Sequence, residues 1–140
     1  MYLIDTNIFL ELLLNRKEAK SCGELLEKVS EGEIKAVVSS FTIHAIEVFL
    51  GRKYNILQKF LQNIINSSGL IIYTTTIDEE LEAIVMAEKV GLDFDDGIQY
   101  FIAKKLRVQA IISFDKHFDN TDLKRKEPRE VLKEYGSGRI

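Results

Sequence analysis

Four short apolar runs punctuate this chain at wide intervals: Tyr2-Leu3-Ile4, Ala36-Val37-Val38, Leu70-Ile71-Ile72-Tyr73, and a last one near 109–113. The first is continuous, the pattern of a strand covered on both faces. The second is rich in valine, a residue that suits a pleated surface. The intervals between runs are long and carry helical periodicity. Thr6 to Leu14 is expected as one helix and Lys17 to Ser30 as the next, with Ala19, Cys22, Leu25, Leu26 and Val29 recurring at three and four residues. Helices are also expected over Phe41–Arg52 and Tyr54–Asn66, the latter closed by the turn formers Asn66-Ser67-Ser68-Gly69. Thr76 and Glu79 form a capping-box pattern that opens a helix ending near Gly91. A helix over Phe94–Leu106 follows. Pro128 suits the first turn of a short terminal helix, where its missing N–H is not needed. Strands alternating with helices predict a three-layer α/β/α sandwich around a mostly parallel sheet, one domain over residues 1–140.

A chain of 140 residues can bury a real core, and 46% hydrophobic with 29% charged residues is an ordinary globular balance. No apolar run approaches the roughly 18 residues of a membrane span, and no signal peptide is visible. Cys22 is the single cysteine, which fits a reducing cytoplasm. The expected location is therefore cytoplasmic, with no membrane contact. The net charge of −3 is unevenly spread. Residues 104–129 carry eight basic side chains against four acidic ones, a local +4 that leaves −7 for the rest. Such a segment either attracts phosphates or forms a salt-bridged surface.

Four acids stand where strand gives way to helix, or inside the helices between. Asp5 follows the first strand, Asp115 follows the last, and Glu47 and Asp96 lie between them. In an open parallel sheet the functional crevice lies beyond the carboxyl ends of the strands, so acids far apart in sequence can meet there. Each also has a plainer reading. Asp5 could be an N-cap, although Thr6 and Asn7 could cap the helix and leave the Asp5 carboxylate free. Glu47 interrupts Ala45-Ile46-Glu47-Val48-Phe49-Leu50 and is either exposed or a costly buried charge that a cation would relieve. Asp96 sits in a first helical turn where the dipole favours acids, and Asp93 with Asp96 mimics a capping box. Asp115 could begin a surface loop, with Phe118 as a core anchor and Asp119 and Asn120 as turn residues. A calcium loop is excluded, because Lys104 stands where the bidentate Glu belongs. His44 and His117 lack partners at zinc spacing and are read as structural or solvent-facing. Clustered carboxylates without such partners suit Mg²⁺ or Mn²⁺.

Four motifs in this order resemble the PIN-domain family, and within it the small VapC-type toxin ribonucleases. Tyr2-Leu3-Ile4-Asp5-Thr6-Asn7 is similar to the family's opening element. Val38-Ser39-Ser40 through Glu47 resembles its strand followed by a Glu-bearing helix. Asp93-Phe94-Asp95-Asp96-Gly97-Ile98 through Ala103 resembles its Asp-led helix, and Ser113-Phe114-Asp115-Lys116-His117-Phe118 its closing element. The resemblance implies that Asp5, Glu47, Asp96 and Asp115 form an acidic metal cluster, with support from Thr6, Asn7 and Ser113. Asp93 or Asp95 could serve in place of, or beside, Asp96. Ser113 stands where Thr is commoner, and Gly97 where Ala is usual, a change that could let backbone approach the site.

The chemistry so implied is Mg²⁺- or Mn²⁺-dependent hydrolysis of RNA phosphodiester bonds. Glu47 would be either a ligand or a water-positioning group, and Lys104, Lys105 or Arg107 would contact phosphates. The resemblance also implies a cognate antitoxin and a homodimer. The strip Ile43, Val48, Phe49, Leu57 and Phe60 could serve either contact or simply the core. The alternative is a catalytically inactive PIN-like module that binds RNA or protein. A phosphotransfer receiver fits poorly, since it wants its acceptor Asp after a middle strand.

Overall fold

The computed structural model describes residues 1–137. Strands β1 (Tyr2–Ile4), β2 (Ala36–Ser39), β3 (Leu70–Tyr73), β4 (Ala110–Ile112) and β5 (Arg125–Lys126) form one sheet in the order β3-β2-β1-β4-β5. Every pairing is parallel. The helices are α1 (Thr6–Leu13), α2 (Ala19–Ser30), α3 (Ser40–Leu50), α4 (Tyr54–Ile65), α5 (Ile77–Val90), α6 (Phe94–Leu106) and α7 (Pro128–Ser137), with a 3₁₀ helix over Lys116–Asn120.

Side chains that alternate along the central strands build two cores. Ile4, Val38 and Ile112 face α1–α4 and α7, while Leu3, Val37 and Ile111 face α5 and α6. Sheet and flanking helices thus make the expected α/β/α layers. The capping box at Thr76 is present with both hydrogen bonds, and α5 ends on Gly91 in the left-handed region (φ 76°) that favours glycine.

Two elements were not anticipated. Strand β5 is two residues long and basic, with no apolar run to betray it, and pairs with β4 through Ile111↔Arg125 and Ile112↔Lys126. The 3₁₀ helix was expected as turn or loop. Strand β3 lies at the sheet edge, where Ile71 and Ile72 remain exposed.

The chain moves outward from β1 to β2 to β3, then crosses back so that β4 adds on the other side of β1. The order of strands reverses between β1 and β4. Their carboxyl ends, joined in the register Ile4↔Ile112, flank that switch point. This is where crevices open in sheets of this kind.

Candidate metal centre and active site

Asp5 leaves β1 still attached to the sheet, its N–H donating to the Ile112 carbonyl at 3.0 Å. Its carboxylate is almost fully buried and accepts from the Thr6 N–H at 2.8 Å, Ser113 Oγ at 2.6 Å and Asn7 Nδ2 at 3.2 Å. Asp5 is therefore the cap of α1, as its plainer reading had it, and Thr6 and Asn7 do not cap in its place. Thr6 Oγ1 is occupied instead with Thr42 Oγ1 at 2.9 Å. Asn7 bridges two segments, donating to Ser113 Oγ at 3.1 Å and accepting from the Phe114 N–H at 3.3 Å.

Ser113 is the hub. Fully buried, it donates to Asp5 and accepts from Asn7 and from the Asp115 N–H at 2.9 Å. One hydroxyl thus ties the first strand's acid to the loop bearing the last. Asp115 in turn caps the 3₁₀ helix, accepting from the His117 N–H at 2.9 Å.

Asp96 enters from α6. The helix is capped by Asp93, whose Oδ1 accepts from the Asp96 N–H at 2.9 Å. That spends Asp93 on the helix start and leaves the Asp96 carboxylate free of the cap and buried. Carboxylate oxygens of Asp96 and Asp115 and a ring nitrogen of His117 all lie within 4.8 Å of one another. Asp95 is exposed, yet its charge acts on Asp5 ahead of that of Asp115.

The electrostatics follow from burial and crowding. Desolvation raises the Asp5 carboxyl to about 6, against the pull of its Ser113 and Thr6 hydrogen bonds, with Asp95 and Asp115 adding repulsion. Asp96 is driven further, to about 8, by burial first and then by Asp115. None of the leading influences on either group is a lysine or arginine.

The fourth acid is Glu47. It lies half-buried on α3, and its recorded partner is His44 Nε2 at 3.9 Å. Thr42, on the same helix, points into the polar floor of the site. Five residues on, at about 100° per residue, Glu47 projects some 140° away from that direction.

Two residues beneath the acids escaped the sequence reading. Gln99 is fully buried one turn along α6 from Asp96, its Nε2 donating to Thr42 Oγ1 at 2.8 Å and Ser39 Oγ at 3.4 Å. Its Oε1 has no hydrogen-bond partner. A glutamine inside the apolar run Ile98-Gln99-Tyr100-Phe101-Ile102 was the available signal. Thr42, which gathers Thr6, Ser39 and Gln99, gave no comparable one. The buried carboxylates of Asp5 and Asp96, with no lysine or arginine among the leading influences on either, form an oxygen-rich donor set that fits a hard divalent cation.

Other expectations resolve differently. Gly97 does not open the site: a Cβ there would meet the Ala87 Cβ at 2.6 Å, so the glycine serves close packing of α6 on α5. Of the basic segment, Lys104 pairs with Asp122, Lys105 with Glu79, Arg125 with Asp119 and Glu127, Lys126 with Glu134, and Arg129 with Glu18. The salt-bridged reading holds for those five. Asp119 is thereby committed to Arg125. Of the apolar strip, Ile43 and Phe60 are buried in the core with Leu57 packed against it, and Val48 and Phe49 are exposed.

A parallel sheet with an acidic pocket at its switch point defines an α/β protein whose site is made of carboxylates from both ends of the chain. The PIN domain model matches residues 2–124, and the chain belongs to that family. Solved structures with the same fold include a toxin–antitoxin complex from Klebsiella pneumoniae, with 21% identity over 91% of this chain and 98% of that one and a TM-score of 0.68. VapC20 from Mycobacterium tuberculosis, described as a toxin cleaving the sarcin-ricin loop, has 16% identity over 88% and 96%, also at 0.68. VapBC2 from Rickettsia felis, bound to a promoter DNA fragment, has 19% identity over 90% and 97%, at 0.65. No curated protein sequence matches the chain.

Proposed function

We propose that this PIN-domain protein is a divalent-metal-dependent endoribonuclease and the toxin of a toxin–antitoxin pair. The observation that carries this reading is the convergence of Asp5, Asp96 and Asp115 at the switch point with no lysine or arginine among the leading influences on Asp5 or Asp96. Asp5, Asp96 and Asp115 would hold Mg²⁺ or Mn²⁺. When bound, the cation would supply an acidified water and neutralise charge on the phosphate. Ser113 and Asn7 position Asp5, the Asp93 cap sets the start of α6, and Gln99 with Thr42 and Ser39 fixes the floor.

The test is cleavage of a structured RNA by purified protein with Mn²⁺, beside Asp96→Asn. Cleavage lost in the variant supports the assignment; equal cleavage by both refutes it. The recorded pairing of Glu47 with His44 favours one second reading, a PIN-like module that binds RNA or protein without cutting. Metal and RNA binding with no product, in protein shown to be folded, would select that reading.

An antitoxin partner is supported by the apolar cleft between α1, α2 and α4, about 610 Å³ in volume and lined by Phe9, Leu12, Leu13, Leu26, Phe60 and Ile64 among others. A homodimer is supported by exposed apolar residues on α5 (Ile77, Leu81, Ile84, Val85). No helix among the described residues is long and apolar enough to cross a membrane, and we assign the protein to the cytoplasm.

A further inference from the structure

His117 adds something that the carboxylates do not. It is one of two histidines in the chain. The 3₁₀ helix that carries it is pinned by the fully buried Phe118 and capped by Asp115. The imidazole is mostly exposed, but its Nδ1 points inward, 3.0 Å from Asp115 Oδ1 and 3.8 Å from Asp96 Oδ2. Those two carboxylates are its recorded partners. Ligand atoms about 2.1 Å from a small divalent cation lie roughly 3 Å apart when adjacent and about 4.2 Å when opposite. Both separations fall in that range and the two carboxylates lie within 4.8 Å of each other, so side-chain adjustment alone could bring both acids and the ring onto one ion.

We propose that His117 is a nitrogen ligand of the divalent cation held by Asp96 and Asp115, and that it biases the pocket toward Mn²⁺ over Mg²⁺. The inference rests on the metal-dependent reading above. Its chemical basis is that Mg²⁺ prefers oxygen donors throughout, whereas imidazole binds first-row transition ions better. Other soft or nitrogen donors lie elsewhere: Cys22 is buried on α2, and His44 sits beside Glu47 on α3.

The experiment is pulsed EPR of Mn²⁺ added to the full chain, reading imidazole ¹⁴N coupling, in wild type, His117→Asn and His44→Asn. Calorimetric Mn²⁺ and Mg²⁺ affinities are measured alongside. Wild type and His44→Asn are expected to show the nitrogen and His117→Asn to lose it. The Mn²⁺-to-Mg²⁺ affinity ratio should drop on the order of tenfold in His117→Asn. The ring is exposed, so melting without metal should be unchanged and will show that the variant folds. Mn²⁺ bound without nitrogen coupling, coupling that survives His117→Asn, or coupling lost with His44→Asn would each overturn the proposal and leave the acidic site standing. Absence of any Mn²⁺ binding to wild type would overturn the metal reading itself, and this inference with it.

Discussion

At the scale of single residues, Ser113 connects the two halves of the pocket. Removing its hydroxyl leaves Asp5 Oδ2, Asn7 Nδ2 and the Asp115 N–H each short of a partner in a buried setting. Ser113→Ala should cost about 1–3 kcal/mol in chemical denaturation, while Ser113→Thr, which keeps the hydroxyl, should cost less. Acid strength gives a second prediction. Asp5 holds its proton to about 6 in the fold but to only 3.8 unfolded, and Asp96 to about 8. Between those values the folded state binds more protons than the unfolded one, so metal-free stability falls as pH rises. The contribution is complete below the unfolded value and is lost as pH passes the folded ones. Melting in EDTA should therefore decline from about pH 4 to about pH 8, and Asp96→Asn should flatten the upper part of that decline.

At the scale of elements, the packing of α6 on α5 fixes where Asp96 stands. Gly97 follows Asp96 and lies against Ala83 and Ala87. Gly97→Ala should destabilise by about 1–3 kcal/mol through overpacking. Ala87→Gly, which removes the obstructing Cβ, should recover part of that loss when combined with it, as a denaturation series can show. Elements with strong patterns were legible in the sequence: the apolar runs of β1–β4, the Thr76 capping box and the periodic α2 all stand close to where periodicity places them. Strand β5 was not, because its two basic residues are recruited by Lys124 and Lys126 carbonyls that bond β4 and its end, and no local propensity announces that. Asp5 and Asp115 meet because the strand ends before them are legible, and Asp96 joins them from the capped start of α6. The direction of Glu47 is harder to read, because a helical direction turns on single residues: a shift of two positions along α3 swings a side chain to the opposite face. His117 was passed over because its partners come from α6 and from its own loop, a juxtaposition only the fold creates.

At the scale of the whole molecule, ligand binding and stability are linked. A cation that binds only the folded state raises stability. Millimolar Mn²⁺ should therefore raise the melting temperature, and Asp5→Asn should abolish that rise while keeping the fold. Equal melting with EDTA and with Mn²⁺ would count against the site. The exposed stripe Ile77, Leu81, Ile84 and Val85 recurs at helical spacing along one face of α5. If it is the self-association surface, Leu81→Glu with Val85→Glu should turn a sedimenting dimer into a monomer with unchanged helical content.

The pairing of β1 with β4 has a consequence for how such a protein comes into being. Asp5 and Ser113 are 108 positions apart, and the β1–β4 register alone places them side by side. A ribosome delivering the chain exposes the first acid long before the segment that completes its surroundings. Until β4 docks there is no pocket to load, so the growing polypeptide lacks an assembled site for most of its synthesis.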